Sequence, residues 1–494
     1  MRSQAPDDFG LMQEQVEAHE KPDDLSDHGN ANYFLSCYGE RIRYCKEEEV
    51  NGRWYVADEA KCWGVDREGQ IYALAERAML KKRDETLAKF AEKQWTEEEK
   101  RIVNHAQRSL NRHAIDNCVA IARYRENVRI LPNTFDSDPW LLGVENGVLN
   151  LKTGKLEEPN LALLVARRAP VAVIDSASWT KWDEFLRKVQ PDEDTRKYLQ
   201  MFAGVCLTGE QPEQCFLFCH GTGANGKTVF IRALQAVLGP DYSWAAKKGL
   251  FFTGDRVHDA GDNDKADLAG RRLVTSSETV GQRWNIESIK EMTGGDSQNV
   301  RQLYTKGQNI VVKAKFLVAA NREPHLDAFD EATRRRFVVV PWRVTIPEED
   351  RIPLERYLAQ LLEEKSGILN WARIGLLEFH ANGGKLTPSK LVKEATEAYL
   401  TAEDHVKRFC DEWCEYKEGD IRTYVAELHE FFRYWSNEPD PKKVLGVRKF
   451  TIELKRILGT ESLKPGNANK MTVLKYGLKD EARKMGEVIK QHWV

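Results

Sequence analysis

Gly221, Gly226, Lys227 and Thr228 occupy every defined position of the phosphate-loop pattern G-x-x-x-x-G-K-[ST], with Thr222, Gly223, Ala224 and Asn225 between the outer glycines. A set of this kind can bind a polyphosphate. Glycines let the backbone come close to phosphate oxygens, and the first N–H groups of the following helix point at the same anion. Lys227 is positioned in sequence to give a point charge to the β- and γ-phosphates, and Thr228 a hydroxyl to magnesium. ATP and Mg²⁺ are the expected ligands, contacted by Gly221, Gly223, Ala224, Asn225, Gly226, Lys227 and Thr228.

Further positions supply the rest of a hydrolytic site. The apolar run from Arg272 ends in Ser276-Ser277-Glu278, and an acid at the end of a strand can hold the magnesium shell and polarise an attacking water. Glu278 is therefore the expected catalytic acid and, with Thr228, the metal contact. Phe316 to Ala320 is a second apolar strand ending in an amide, Asn321, which can orient water against a γ-phosphate. Arg334-Arg335-Arg336 precede the strand Phe337 to Val340, and guanidinium groups at a subunit edge can reach a neighbour's γ-phosphate. Two extended arms, Val300 to Tyr304 and Asn309 to Val312, are joined by Thr305-Lys306-Gly307-Gln308, which reads as a hairpin with Lys306 at its tip. In a ring of about six subunits such tips would meet the phosphates of a strand passing through the channel.

These side chains need a scaffold, and the flanking sequence supplies one. Cys215 to Cys219 has the length and composition of a buried parallel strand. Phe230, Ala233, Leu234 and Val237 then fall on one helical face, and Gly239-Pro240 stops that helix. Upstream, residues 178–212 read as amphipathic helices, a collar leading into the loop: Trp182, Phe185, Leu186 and Val189 share one face, and Tyr198, Phe202 and Val205 another. Residues 1–28 are acidic and poor in apolar side chains, as in a disordered tail. Residues 29–177 read as an α+β domain. Its alternating stretches surround Trp54 and Trp63, a highly charged helical segment runs from 75 to about 125, and hairpin strands lie near Gly147 to Leu151. Asp136 and Asp138 form a D-x-D, a spacing that can hold two magnesium ions, yet they sit before Pro139 and read as a turn.

The composition is that of a globular chain, with 41% hydrophobic and 31% charged residues among 494. No apolar run reaches about 18 residues, and MRSQAPDDFG lacks the basic-then-apolar pattern of a leader, so a cytoplasmic protein without a membrane partner is expected. Nine cysteines without a regular framework read as reduced thiols. The two C-x-x-x-C pairs, Cys215/Cys219 and Cys410/Cys414, read as core positions rather than zinc knuckles. A net charge of −3 gives no global attraction for nucleic acid, so any such contact must be local.

The succession of phosphate loop, strand ending in Glu278, Lys290 with Thr293-Gly294-Gly295-Asp296, hairpin, Asn321 and arginines resembles the superfamily 3 helicases. Among them it is similar to the primase-helicases of phages, plasmid-like elements and poxviruses. Leu268-Ala269-Gly270-Arg271-Arg272-Leu273 matches the glycine step before the acidic strand. Gly367 to Trp371, Gly375 and Pro388 match the helical tail, and Asn146 to Leu151 the pre-helicase domain. The resemblance spans roughly residues 130–400 well and 30–130 weakly. It implies an α/β fold: an AAA+-like parallel-sheet ATPase core over 213–345 and a helical tail over 346–400. It further implies a hexameric ring that uses ATP and Mg²⁺ to travel on single-stranded DNA and open forked duplex. By the same resemblance Lys227 and Thr228 bind phosphate and magnesium, Glu278 is the catalytic acid and Asn321 the sensor. Arg335 or Arg336 is the finger, since the triplet departs from the family's usual pair. Residues 1–130 offer little room and no metal-binding carboxylate set for primer synthesis, so a separate primase or polymerase is an expected partner.

Residues 401–494 carry helical patterns around Leu428 to Trp435 and Phe450 to Leu458, then short strands at Thr472 to Leu474 and Tyr476 to Leu478. With the basic residues Lys442, Lys443, Arg448 and Lys449 this suits a winged-helix-like DNA-binding domain, in which Lys443 and Arg448 are the expected contacts and Phe431, Trp435 and Phe450 are core. Two alternatives share the phosphate loop: an origin-binding initiator or loader that hydrolyses ATP without processive unwinding, and a small-molecule phosphotransferase. The hairpin and the arginines argue against the second.

Overall fold

The computed structural model describes residues 24–46, 52–59, 62–91, 94–131, 134–158, 160–253, 262–277, 283–300, 308–326, 330–418, 422–436, 444–459, 463–465 and 471–492. The chain divides into two compact units, residues 1–134 and 135–494.

In the first unit the helices Asp27–Tyr38, Gln70–Lys89, Glu97–Arg108 and Arg112–Ala122 accompany a small sheet ordered Trp63–Val65, Arg53–Ala57, Ile42–Cys45, Arg129–Ile130. Phe34, Ile42, Ala75, Met79 and Val119 form its core. The first helix begins inside the stretch read as an acidic tail. Ser26 caps it by accepting the Gly29 N–H, Asp27 suits the positive helix start, and Ala31 and Phe34 bury its inner face.

The second unit is built on a five-stranded parallel sheet ordered Phe337–Pro341, Phe216–His220, Lys315–Ala320, Leu273–Ser277, Ser243–Ala245. Both faces are covered, which is why these strands read as continuous apolar runs. Alternate side chains go to opposite layers. Leu217, Cys219, Leu317 and Ala319 meet the helices on one side, while Phe216, Phe218, Phe316 and Val318 meet Phe252, Trp284 and Met292 on the other. The helices Thr180–Val189, Glu193–Cys206, Lys227–Tyr242 and Lys365–Ala381 fill the first layer. Glu193–Cys206 and Lys365–Ala381 run so close that a Cβ on Gly204 would sit 2.3 Å from the Leu376 nitrogen, and one on Gly375 2.1 Å from the Gln200 carbonyl. Gly239 breaks the phosphate-loop helix at φ 66°, and a short turn continues to Tyr242.

The meander Leu141–Val144, Gly147–Asn150, Lys155–Glu157 lies in this second unit. Its Leu142, Val144 and Leu149 are buried in the same cluster as Trp182 and Phe230. Asp136 is a loop anchor, as its turn setting suggests. At φ 55° it accepts the N–H groups of Ala166 and Arg167 at 2.9 and 3.1 Å.

The region after Asp404 holds the helices His405–Trp413, Val425–Ser436 and Val447–Leu458, and a three-stranded sheet ordered Arg422–Tyr424, Met471–Leu474, Leu463–Pro465. Phe431 and Phe450 are buried and Trp435 packs against their cluster, as core residues should. The two short strands near the end do not pair with each other. Met471–Leu474 joins this sheet and Tyr476–Leu478 pairs with Cys414–Tyr416, because Lys475 between them takes a left-handed backbone (φ 58°) and turns the chain. All nine cysteines are free thiols, and neither C-x-x-x-C pair joins a cluster of further metal ligands among the described residues. No helix among the described residues is long and apolar enough to cross a membrane.

Candidate active site

The strand Phe216–His220 delivers the chain to Gly221 at the carboxyl edge of the sheet, and the helix Lys227–Tyr242 leaves from it. The loop between is held from outside. Trp342 N–H donates to the His220 carbonyl at 2.7 Å, Ile346 N–H donates to the Ala224 carbonyl at 2.8 Å, and buried Asn225 gives its amide N–H to the Trp342 carbonyl at 3.3 Å. Gly223, Ala224 and Gly226 all have positive φ, which turns successive backbone amides toward one concavity. Thr228 is exposed in the first helical turn, where a hydroxyl can reach a ligand.

Gly226 is required twice over. Its φ is 84°, and a Cβ there would meet Val189 at 2.7 Å and Phe185 at 3.0 Å. Gly226→Ala is expected to cost about 1–2 kcal/mol from the backbone alone, plus the displacement of Val189, and to lower the thermal midpoint. A variant that melts like the wild type would show that this turn relaxes freely.

Lys227 is 4% exposed. Its ammonium donates to the Gly221 carbonyl at 2.7 Å, the Asn225 Oδ1 at 3.0 Å and the Asn321 Oδ1 at 3.2 Å. Burial lowers its pKa to about 8. Asn321 follows Lys315–Ala320, the strand hydrogen-bonded to the loop strand, with Ala320 opposite His220. One ammonium thus links the loop and the amide on the neighbouring strand. Leu273–Ser277 ends at the same edge, Ser277 lying opposite Ala319. Glu278 itself lies outside the described residues, as do Lys306 and Lys443. Ser297–Val300 pairs antiparallel with Gln308–Val311, which overlaps the second expected arm; residues 301–307, most of the first expected arm and its tip, lie outside the described residues.

The arginines sit at the other edge. Phe337 pairs with Phe216 and Pro341 with His220, so Arg335 and Arg336 lie a full strand, about 13 Å, from the phosphate loop. The two differ. Arg336 is 6% exposed and gives its guanidinium to the Thr293 hydroxyl at 2.8 Å, the Ala332 carbonyl at 2.6 Å and the Gln214 Oε1 at 3.3 Å. Arg335 is exposed and donates to the same Gln214 oxygen at 2.8 Å. Arg448 is exposed in the first turn of Val447–Leu458.

Two residues at the loop edge were not anticipated. His220 Nδ1 lies 3.2 Å from Glu323 Oε1. Burial, together with the Lys227 charge, holds this imidazole below its ordinary value against the pull of Glu323. A histidine abutting Gly221 and an acid two residues past Asn321 were the available signals.

Residues 31–191 match the family described as "D5 N terminal like". The resemblance is to D5-like helicases and primases of large DNA viruses. Residues 219–336, which include the phosphate loop and Asn321, match a second family described only as being of unknown function. Among D5-like relatives, "Putative helicase 022R" of Frog virus 3 (isolate Goorha) is 29% identical over 303 residues, 58% of this chain and 31% of that protein. "Putative helicase L207/L206" of Acanthamoeba polyphaga mimivirus is 25% identical over 67% of this chain and 35% of its own length. "Putative primase C962R" of African swine fever virus (isolate Warthog/Namibia/Wart80/1980) is 25% identical over 41% and 22%. The chain spans about a third, or less, of the D5-like proteins it matches here. The solved apo structure of the NrS-1 C terminal region covers 90% of this chain and 99% of that chain at 10% identity, with a TM-score of 0.45.

Proposed function

We propose that this chain is the motor of a superfamily 3 DNA helicase. It binds ATP with Mg²⁺ at Gly221–Thr228, assembles as a ring of about six copies, and travels on single-stranded DNA to open duplex during replication of a virus, phage or mobile element. The observation that carries this is the Lys227 ammonium shared between the loop and Asn321. A group that senses the γ-phosphate must lie beside the lysine that holds it, on a strand next to the loop strand, as Asn321 does. The loop also fits the ligand: it is strapped by Trp342 and Ile346, its glycines leave the approach to the backbone open, and Thr228 is exposed. Phosphates would take the ammonium from the three oxygens that now hold it, and the Mg²⁺ they bring would neutralise charge developing on the transferred phosphoryl. The strand order supports an AAA+-type core, and the names of the relatives support replication as the setting.

Glu278 would polarise water and complete the magnesium shell, and Arg335 would serve the neighbouring subunit. Lys306 at the hairpin tip would touch the translocating strand. The region 401–494 would act as a winged-helix-like module that places Lys443 and Arg448 on duplex DNA, a reading supported by its helices, its three-stranded sheet and exposed Arg448. That module also gives the initiator reading its specific support, since a duplex-binding domain could mark an origin.

Steady-state ATP hydrolysis with and without single-stranded DNA, alongside strand displacement from a forked duplex, tests the proposal. Single strands should stimulate hydrolysis several-fold in the wild type. Lys306→Ala should lose the stimulation and the displacement while keeping basal hydrolysis. Hydrolysis indifferent to single strands, with no displacement and with tight binding to one duplex sequence, would replace the motor by the initiator.

A further inference from the structure

Two imidazoles and one carboxylate converge where the segment after Asn321 meets the joint between two helices. His325 Nδ1 lies 3.3 Å from Glu403 Oε2. One ligand atom from each of His325, Glu403 and His405 lies within 4.8 Å of the other two. None of the three takes part in the proposed motor, and His325 lies 78 residues before Glu403 in the sequence.

The backbone behind each is fixed. Glu403 is the last residue of the helix Lys390–Glu403 and His405 the first of His405–Trp413. Asp404 between them is 1% exposed, caps the second helix by accepting the Lys407 N–H at 3.1 Å, and receives Arg456 at 2.6 Å. His325 bridges Arg283, and its carbonyl accepts the Trp284 N–H at 3.0 Å. Glu403 Oε2 accepts the Leu326 N–H at 3.1 Å, which aims the carboxylate at the histidines.

We infer that His325, Glu403 and His405 form a binding site for a Zn²⁺-type divalent cation, with a fourth position open to solvent. Two imidazoles and a carboxylate are a nitrogen and oxygen donor set that zinc accepts and that magnesium or calcium, which seek oxygen, do not. Tetrahedral zinc with bonds of about 2.0–2.2 Å needs ligand atoms about 3.4 Å apart. His325 and Glu403 already meet that spacing, and the exposed imidazoles of His325 and His405 would close the remainder by rotating toward a shared ion. The metal would pin the segment that follows Asn321 to the joint that opens the C-terminal region.

The full chain, stripped with a chelator and titrated with Zn²⁺ alone against a chromophoric competitor, tests the site. One zinc per chain should bind, and His405→Ala and Glu403→Gln should each lower the affinity about 100-fold or more, since even outer partners of a metal ligand are worth about 10- to 100-fold. Zn²⁺ should raise the thermal midpoint of the wild type and leave that of His405→Ala unchanged, the two melting alike without metal. Co²⁺ in place of Zn²⁺ should give visible d–d bands without a thiolate charge-transfer band. Absence of binding, equal binding by the variants, or a thiolate band pointing to the nine cysteines would overturn the site. None of these measurements uses nucleotide or DNA, so the site and the motor can fail separately.

Discussion

Lys227→Met is expected to lower ATP hydrolysis on the order of 10³-fold without lowering the thermal midpoint of the nucleotide-free protein at pH 7. The two effects have one cause. The ammonium is the cation the phosphates would meet, and in their absence it is 4% exposed with three neutral oxygens as its hydrogen-bond acceptors among the described residues. Burial depresses its pKa to about 8, below the ordinary value of 10.5, so the folded chain binds this proton less tightly than the unfolded chain does. The resulting penalty on the folded state is present in full below about pH 8 and is relieved as pH rises toward 10.5. Methionine keeps the stem and removes the charge. Its midpoint should therefore equal or exceed that of the wild type at pH 7, and any advantage should shrink as pH rises through 8 to 10. Melting curves at pH 7 and pH 9.5 with a coupled ATPase assay measure both. A midpoint several degrees below wild type at pH 7 would mean that the three hydrogen bonds outweigh the desolvation, and that the loop depends on this lysine to fold.

That loop was legible in the sequence because its requirements are local. Strand, glycines, lysine and helix follow one another within the stretch from Phe216 to Tyr242, and the apolar run ending in Asn321 announces a buried parallel strand wherever it sits in the sheet. Contacts between distant residues left less trace. The meander Leu141–Val144, Gly147–Asn150 shows an apolar face, but nothing in Leu142 or Val144 says which core receives it; the answer is the cluster around Trp182 and Phe230. The start of the helix Asp27–Tyr38 falls at the end of an acidic stretch and its buried face needs only Ala31 and Phe34 with small neighbours Gly29 and Asn30, so it leaves little pattern. Met471–Leu474 and Tyr476–Leu478 look like a hairpin, and only the left-handed Lys475 sends them to different partners. His325, 78 residues from Glu403, carries no local mark of the carboxylate it meets.

The arginine triplet was ambiguous for a related reason: three identical side chains in a row differ only in where the fold sends them. Arg336 is enclosed by Thr293, Ala332 and Gln214 within its own chain, so Arg336→Ala should leave buried partners unsatisfied and cost about 3 kcal/mol of stability. Arg335 is exposed, and its hydrogen bond to Gln214 is easily exchanged for a stronger anionic acceptor. A strand's length separates it from the phosphate loop of the same chain, so the proposed finger role would have to be played on a neighbour's nucleotide. Arg335→Ala should then fold and melt like the wild type, bind nucleotide, and hydrolyse it about 10³-fold more slowly. Mixing supplies the sharper measurement. Lys227→Met and Arg335→Ala chains are each inactive alone, but a mixed ring contains interfaces where an intact Lys227 faces an intact Arg335, and hydrolysis should return there. If mixing restores nothing while both variants still assemble, Arg335 is no finger. If Arg336→Ala instead folds normally and is the one rescued by mixing, the internal contacts of Arg336 must open on assembly and the assignment moves one residue along.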